Sequence, residues 1–184
     1  ADTARAMQDV VASPDGMLGN AFVFVRSGLE GKTFPTTTQP VELDQKGCMY
    51  VPHVLGMMVN QPLKLLSSDP TLHNVHSHPT VDGNKEFNLA MVNAGSEVTR
   101  TFAKPEIMIP IKCDVHPWMV SYIGVVEHPF FAVSDAAGHF SIPNLPPGTY
   151  TIEAWHEKFG AQTQTVTLGE TPTAAAHFTY KVGT

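Results

Sequence analysis

The chain has 184 residues, 42% of them hydrophobic and only 15% charged, a balance that favours a folded core over disorder. A net charge of -6 argues against nucleic acid or an anionic lipid surface as the natural partner. No apolar run approaches the roughly 18–20 residues that a membrane span needs, so no transmembrane segment is expected.

The opening "ADTARAM" reads as the start of a mature exported chain whose signal has been removed, which places the expected location in the periplasm or another extracytoplasmic space. "ADTARAMQDVVAS" carries a weak helical pattern, and "KEFNLAMVNAG" a shorter one. Strands are expected at 21–25, 40–44, 53–59, 62–68, 97–102, 107–113, 120–126, 139–143, 149–155, 163–168 and 176–182, where β-branched and aromatic residues gather between turn signals. Pro110 inside its run points to an edge strand or a bulge. Many short strands joined by turn-rich links predict an all-β chain, in sandwiches or a barrel. Beyond Glu127 there is no Met and no Cys, and the pattern changes to a turn, a strand, a Pro-Pro-Gly turn and another alternating strand. A domain boundary is expected there.

Chemistry concentrates in "KCDVHPWM", residues 112–119, where Cys113, His116 and Met119 follow at steps of three and Pro117 fixes the backbone between the last two. A thiolate and two imidazoles in a trigonal plane, with a weak axial thioether, suit an ion that cycles between Cu(II) and Cu(I). The second imidazole must come from elsewhere, and "DPTLHNVHSHP" offers His73, His76 and His78. If Val75 packs inward, strand parity puts His73 on the core side and His76 on the opposite face, which favours His73. His53 and His76 read most simply as solvated strand histidines, with a second metal site as the alternative.

These residues carry a resemblance. "PLKLLSSDPTLHNVH" followed by "C-x-x-H-P-x-M", with "YVPHVLGMMVNQPL" ahead of both, resembles the small blue copper proteins, the cupredoxins, of amicyanin or plastocyanin type. The short ligand loop is closer to the amicyanin form. The resemblance implies a Greek-key sandwich over about residues 41–126 holding one copper ion through His73, Cys113, His116 and Met119. It also implies that Asn74 braces the ligand loops, and that Pro117 and Trp118 shape an apolar docking patch around His116. Cys48 departs from the pattern, because the family normally has an apolar residue at the corresponding place near the metal. It shares a strand face with Tyr50, and three readings stay open: a thiol beside the site, an extra ligand, or a disulfide to Cys113 that would leave His73, His116 and Met119 without a purpose.

"AVSDAAGHFSIPNLPPGTYTIEAWHEKFGAQTQTVTL" resembles the carboxypeptidase regulatory-like domain, a small transthyretin-like β-sandwich. Phe140, Ile142, Tyr150, Ile152 and Ala154 are expected to alternate inward. Residues 127–184 alone make a thin sandwich. "NAFVFV" (20–25) fits the missing first strand, so that 1–40 completes the domain and the copper domain is inserted into it; the competing placement makes "NAFVFV" the first cupredoxin strand. The resemblance implies an electron carrier rather than an enzyme, exchanging single electrons with a redox protein such as a c-type cytochrome. The alternative is a structural or accessory subunit of a larger cell-envelope complex, bound through the transthyretin-like sandwich. Copper storage or delivery fits less well, because delivery sites favour open, methionine-rich donor sets.

Overall fold

A computed structural model describes residues 8–170 and 174–181. The first part of the expected N-terminal helix (1–7) and the end of the last expected strand (182) lie outside the described residues. Among those described there is no helix. The strands, in chain order, are β1 (Phe22–Ser27), β2 (Val41–Gln45), β3 (Tyr50–Val51), β4 (Val54–Met58), β5 (Leu63–Ser67), β6 (His73–Ser77), β7 (Asn88–Met91), β8 (Ser96–Arg100), β9 (Glu106–Lys112), β10 (Val120–Val126), β11 (Phe131–Val133), β12 (Gly148–His156) and β13 (Gly160–Leu168). They fall into two compact units, one drawn from the chain up to Lys32 and from Phe130 onward, the other Thr33–Pro129.

The Thr33–Pro129 unit has two sheets, in the orders β4-β10-β9-β6-β7 and β3-β2-β5-β8. Both are mainly antiparallel, but β10 pairs with β4 and β2 with β5 in parallel, so the chain crosses between sheets instead of running as a simple meander. The inward residues of the two sheets share one hydrophobic cluster that includes Leu43, Tyr50, Met57, Leu65, Val75, Ile109, Ile123, Cys113 and Met119. Period-two alternation explains which residues enter it: in β5, Leu63, Leu65 and Ser67 are buried while Lys64 and Leu66 are less so. Complete burial of one aliphatic side chain is worth about 1.5–3 kcal/mol. Leu43, Leu63, Leu65, Ile109, Ile111 and Ile123 are all fully buried, so aliphatic packing between the sheets is a main source of their stability.

The other unit contains one four-stranded sheet, β11-β1-β12-β13. The strand at "NAFVFV" is a member of it: β1 pairs with β11 through Phe22↔Val133 and with β12 through Val23↔Ala154, both antiparallel. Tyr150, Ile152 and Ala154 are buried, as alternation requires. Phe140 and Ile142 are only partly so.

Four local expectations differ from the structure. "KEFNLAMVNAG" supplies β7, not a helix, because Met91 and Leu89 pair with His73 and Val75 of β6 and Met91 enters the core. Residues 8–13 are not helical either; Ala12 forms a single bridge to Leu18 around a turn in which Gly16 has φ +78°. Residues 139–143 and 174–181 are irregular. In the first, the Asp135 carboxylate captures the N–H groups of Ala137 and His139, closing a loop where a ladder would begin, and Pro143 has no N–H to continue it. In the second, the bonds to β13 run through side chains: Gln162 donates to the Thr179 carbonyl and the His177 N–H donates to Gln164. Pro110 lies in a central strand, not an edge one. β9 is bulged at Met108, which has φ +67°, and the β6 ladder stops beside Pro110, whose carbonyl accepts from the His78 N–H but which has no N–H to return.

Gly28 ends β1 with φ +105°, and a Cβ there would stand 2.5 Å from the Thr149 carbonyl oxygen and 2.7 Å from the Tyr150 ring. Gly28→Ala is therefore expected to lower stability by about 2–4 kcal/mol in chemical denaturation. A loss under about 1 kcal/mol would contradict the close approach of β1 to β12.

Candidate metal centre

The end of the two-sheet unit where β6 begins is also where β9 ends and β10 starts. His76 pairs with Lys112 and Ser77 with Ile111, while Val120 of β10 pairs with the same Lys112. Continuing β6 backwards brings His73 beside the 113–119 loop. That loop is short and closed on itself. The Cys113 N–H donates to the Met119 carbonyl at 3.3 Å, the Met119 N–H to the His116 carbonyl at 2.9 Å, and the His116 N–H to Cys113 Sγ at 3.4 Å.

Three side chains converge. His73, Cys113 and His116 each present a donor atom within 4.8 Å of the others. The two Nδ1 atoms are 3.0 Å apart, and His116 Nδ1 is 3.9 Å from Cys113 Sγ. His73 and Cys113 are buried, and His116 is partly exposed. Met119 is fully buried in the cluster that contains Cys113.

The tautomer of His73 follows from its other nitrogen. Nε2 lies 3.0 Å from Asp69 Oδ2. Burial works against the charge on Asp69, but the N–H groups of Cys48 and Gly47, and after them His73, outweigh it and hold the carboxyl below its usual range. An ionised carboxylate can only accept, so His73 donates from Nε2, and its other ring nitrogen, Nδ1, faces the cluster. His116 is held below the ordinary imidazole value, by burial first and then by the neighbouring His73. Its ring therefore favours the neutral form that a ligand needs. A thiol sulfur, two imidazole nitrogens and a buried thioether fit a copper ion of the trigonal type.

The residues around the cluster hold it together. Asn74 donates from Nδ2 to Asn88 Oδ1 and Asp114 Oδ2, both at 2.8 Å, and accepts the Asp114 N–H at 2.7 Å, tying β6 to the ligand loop. Tyr50 donates its hydroxyl to the Asn74 carbonyl at 2.5 Å; burial, then the negative charges of Cys113 and Asp114, pushes its phenol far up, so it stays a donor. Trp118 is half exposed, yet its indole N–H reaches the Cys48 carbonyl at 3.0 Å and its ring lies 5.1 Å from that of His116. Pro117 is exposed beside it.

Cys48 and Cys113 are both free thiols, so no disulfide joins them. Cys48 does not group with Cys113 and His116; its sulfur comes together with Asp69 and His73 instead. His53 is buried with its ring edge-on to Tyr122, not solvated as expected, and it belongs to neither group. His76 stands between two carboxylates, Glu86 at 2.6 Å from Nε2 and Asp114 at 3.2 Å from Nδ1, with the His78 ring at 4.1 Å. Asp69, Gly47, Asp114 and Glu86 are functional neighbours that sequence reasoning missed. Only Asp69 left a signal, as an acidic residue four positions before a ligand candidate.

His76 should titrate above 6.5, held up mainly by its bond to Glu86, with burial opposing and Asp114 adding. Because its folded value is raised, the stability its cation contributes is complete below 6.5 and fades as pH rises through the folded value. An NMR titration checks this, and Glu86→Gln should lower the midpoint. A native midpoint at or below 6.5 would contradict the arrangement.

Residues 125–181 match the family model of the carboxypeptidase regulatory-like domain. No curated protein matches the chain. Among solved structures, a copper-containing nitrite reductase from Thermus scotoductus SA-01 is similar at 24% identity and a TM-score of 0.44, over 57% of this chain but only 25% of that one. A novel purple cupredoxin from Nitrosopumilus maritimus is similar at 23% identity and a TM-score of 0.38, over 46% of this chain and 97% of that one. A reduced amicyanin variant is similar at 19% identity and a TM-score of 0.42, over 56% of this chain and 97% of that one.

Proposed function

We propose that His73, Cys113, His116 and Met119 hold one copper ion, and that the chain carries single electrons between redox proteins outside the cytoplasm, a c-type cytochrome being one such partner. The observation that carries this reading is the convergence of two Nδ1 atoms and one sulfur within 4.8 Å, with His73 oriented through Asp69. Bound copper would supply a one-electron Cu(II)/Cu(I) couple. The protein's part is to keep the donors in one arrangement for both oxidation states. Asn74, Asp69 and the internally bonded 113–119 loop restrain the donors independently of any ion. Four protein donors leave no open position for a substrate, which favours electron transfer over catalysis.

His116 is the donor nearest solvent. Val115 and Trp118 on its loop, and Leu72 next to His73, are 47%, 52% and 42% exposed. Such an apolar rim suits a small, transient contact with a redox partner. On the same reading the metal-bearing domain, residues 33–129, is an insertion into the carboxypeptidase regulatory-like domain, somewhat wider than the 41–126 expected from the motifs. The match at 125–181 favours a second role: that domain holds none of the converging donors, so it serves attachment, as in an accessory subunit of an envelope complex.

Copper-loaded protein should show an intense thiolate-to-copper band. Cys113→Ser should abolish it while the β-fold survives; an unchanged spectrum would sink the assignment. Val115→Lys should leave the band in place and slow reduction by a reduced c-type cytochrome about tenfold, measured by stopped flow. Equal rates would remove the 113–119 face as the docking surface.

A further inference from the structure

His73 belongs to two donor groups. Besides the one with Cys113 and His116, its ring, the Asp69 carboxylate and the Cys48 thiol present donor atoms within 4.8 Å of one another. The two groups use different edges of the imidazole where the distances are resolved: Nδ1 faces His116 at 3.0 Å and Nε2 faces Asp69 Oδ2 at 3.0 Å. We propose that Cys48, Asp69 and His73 form a second metal site, for a borderline divalent d¹⁰ ion such as zinc, adjoining the first through the shared His73 imidazole.

The donor types support that choice. Thiolate, imidazole and carboxylate are the ordinary zinc ligands, and three protein donors with a water in the fourth place make a site open to solvent. Cys48 is only half-buried, and the Asp69 side chain is 13% exposed, so an ion can be reached from outside. Asp69 keeps its place by accepting the Gly47 and Cys48 N–H groups at 2.6 Å each, one on each oxygen.

Proton balance is simple. A carboxylate oxygen accepts about two hydrogen bonds, and Oδ2 already takes the Cys48 N–H and the His73 Nε2–H. The ion replaces the Nε2 proton, and so occupies the oxygen lone pair that this proton held. The Cys48 thiol proton leaves as well. The ring stays neutral by carrying its proton at Nδ1 instead, the thiol proton goes to solvent, and no electron is transferred. A ring that also binds copper at Nδ1 gives up its Nε2 proton more readily, since the cation disfavours the proton's positive charge. That last step rests on the copper reading; the second site itself does not.

The test removes the first site's sulfur. In Cys113→Ser, cadmium(II) titration should give an ultraviolet thiolate-to-cadmium band saturating at one ion per chain, because Cys48 is then the sole thiol. Adding Cys48→Ala to that variant should abolish the band, and adding Asp69→Asn should weaken binding by at least about tenfold. Circular dichroism must report the same β signal in every variant that is compared. No band in Cys113→Ser, or a band with affinity unmoved by Asp69→Asn, overturns the site; the latter would mean an isolated thiol capturing cadmium. Failure of the copper reading would show up elsewhere, as a colourless copper-treated wild type beside an intact cadmium band.

Discussion

The register of β6 on β9 is the constraint on which the rest of the centre depends. His76 opposite Lys112 puts residue 73 level with the 113–119 loop, and Val120 opposite Lys112 returns that loop at the same height. A slip of one residue would exchange the two faces of β6. Asn74 and His76 would then turn inward, and His73, Val75 and Ser77, now all buried, would turn out. The cost of exposing Val75 and burying an imidazole flanked by carboxylates guards the register. Ordinary core packing therefore specifies the donor geometry.

Charge is distributed to match. The converging atoms are nitrogens and a sulfur, while the carboxylates stand one bond further out. Asp69 is on the far edge of His73, and Asp114 is bound to Asn74, Asn88 and His76. Asp114 is satisfied by donors outside the cluster, and Asp69 is held by the Gly47 and Cys48 N–H groups besides His73. Fixed negative charge just outside the donors favours a cation without competing for its coordination positions.

How much of this could be read from residues alone depended on the range of each signal. Cys113, His116 and Met119 lie within one loop, and their spacing alone marks them. His73 needed strand parity, which is also local. Asp69 left no more than its spacing ahead of His73, because its role depends on the turn at Gly47 and Cys48, distant in sequence, which supplies the N–H groups that hold its charge. Trp118 read as surface, since nothing in "HPWM" shows that the Cys48 carbonyl will lie within reach of the indole. The helix expected at "KEFNLAMVNAG" failed for a related reason. Its short apolar run suits either structure, and pairing with β6 decides the matter. At 139–143 and 174–181, alternation was present, but proline and side-chain bonding took the place of a ladder.

Trp118 brings the outer surface and the inner donors into one mechanical chain. Its ring packs near His116, and its N–H holds the Cys48 carbonyl. The N–H of Cys48 holds Asp69, and Asp69 holds His73. A displacement of the indole therefore reaches both imidazoles, one by direct ring contact and the other through three polar links. Cys113 and Met119 are tied to the same loop by backbone bonds, but their side chains lie in the hydrophobic cluster. The centre thus has a stiff half, built from sulfur in the core, and a half whose orientation is set by a hydrogen-bonded loop at the surface.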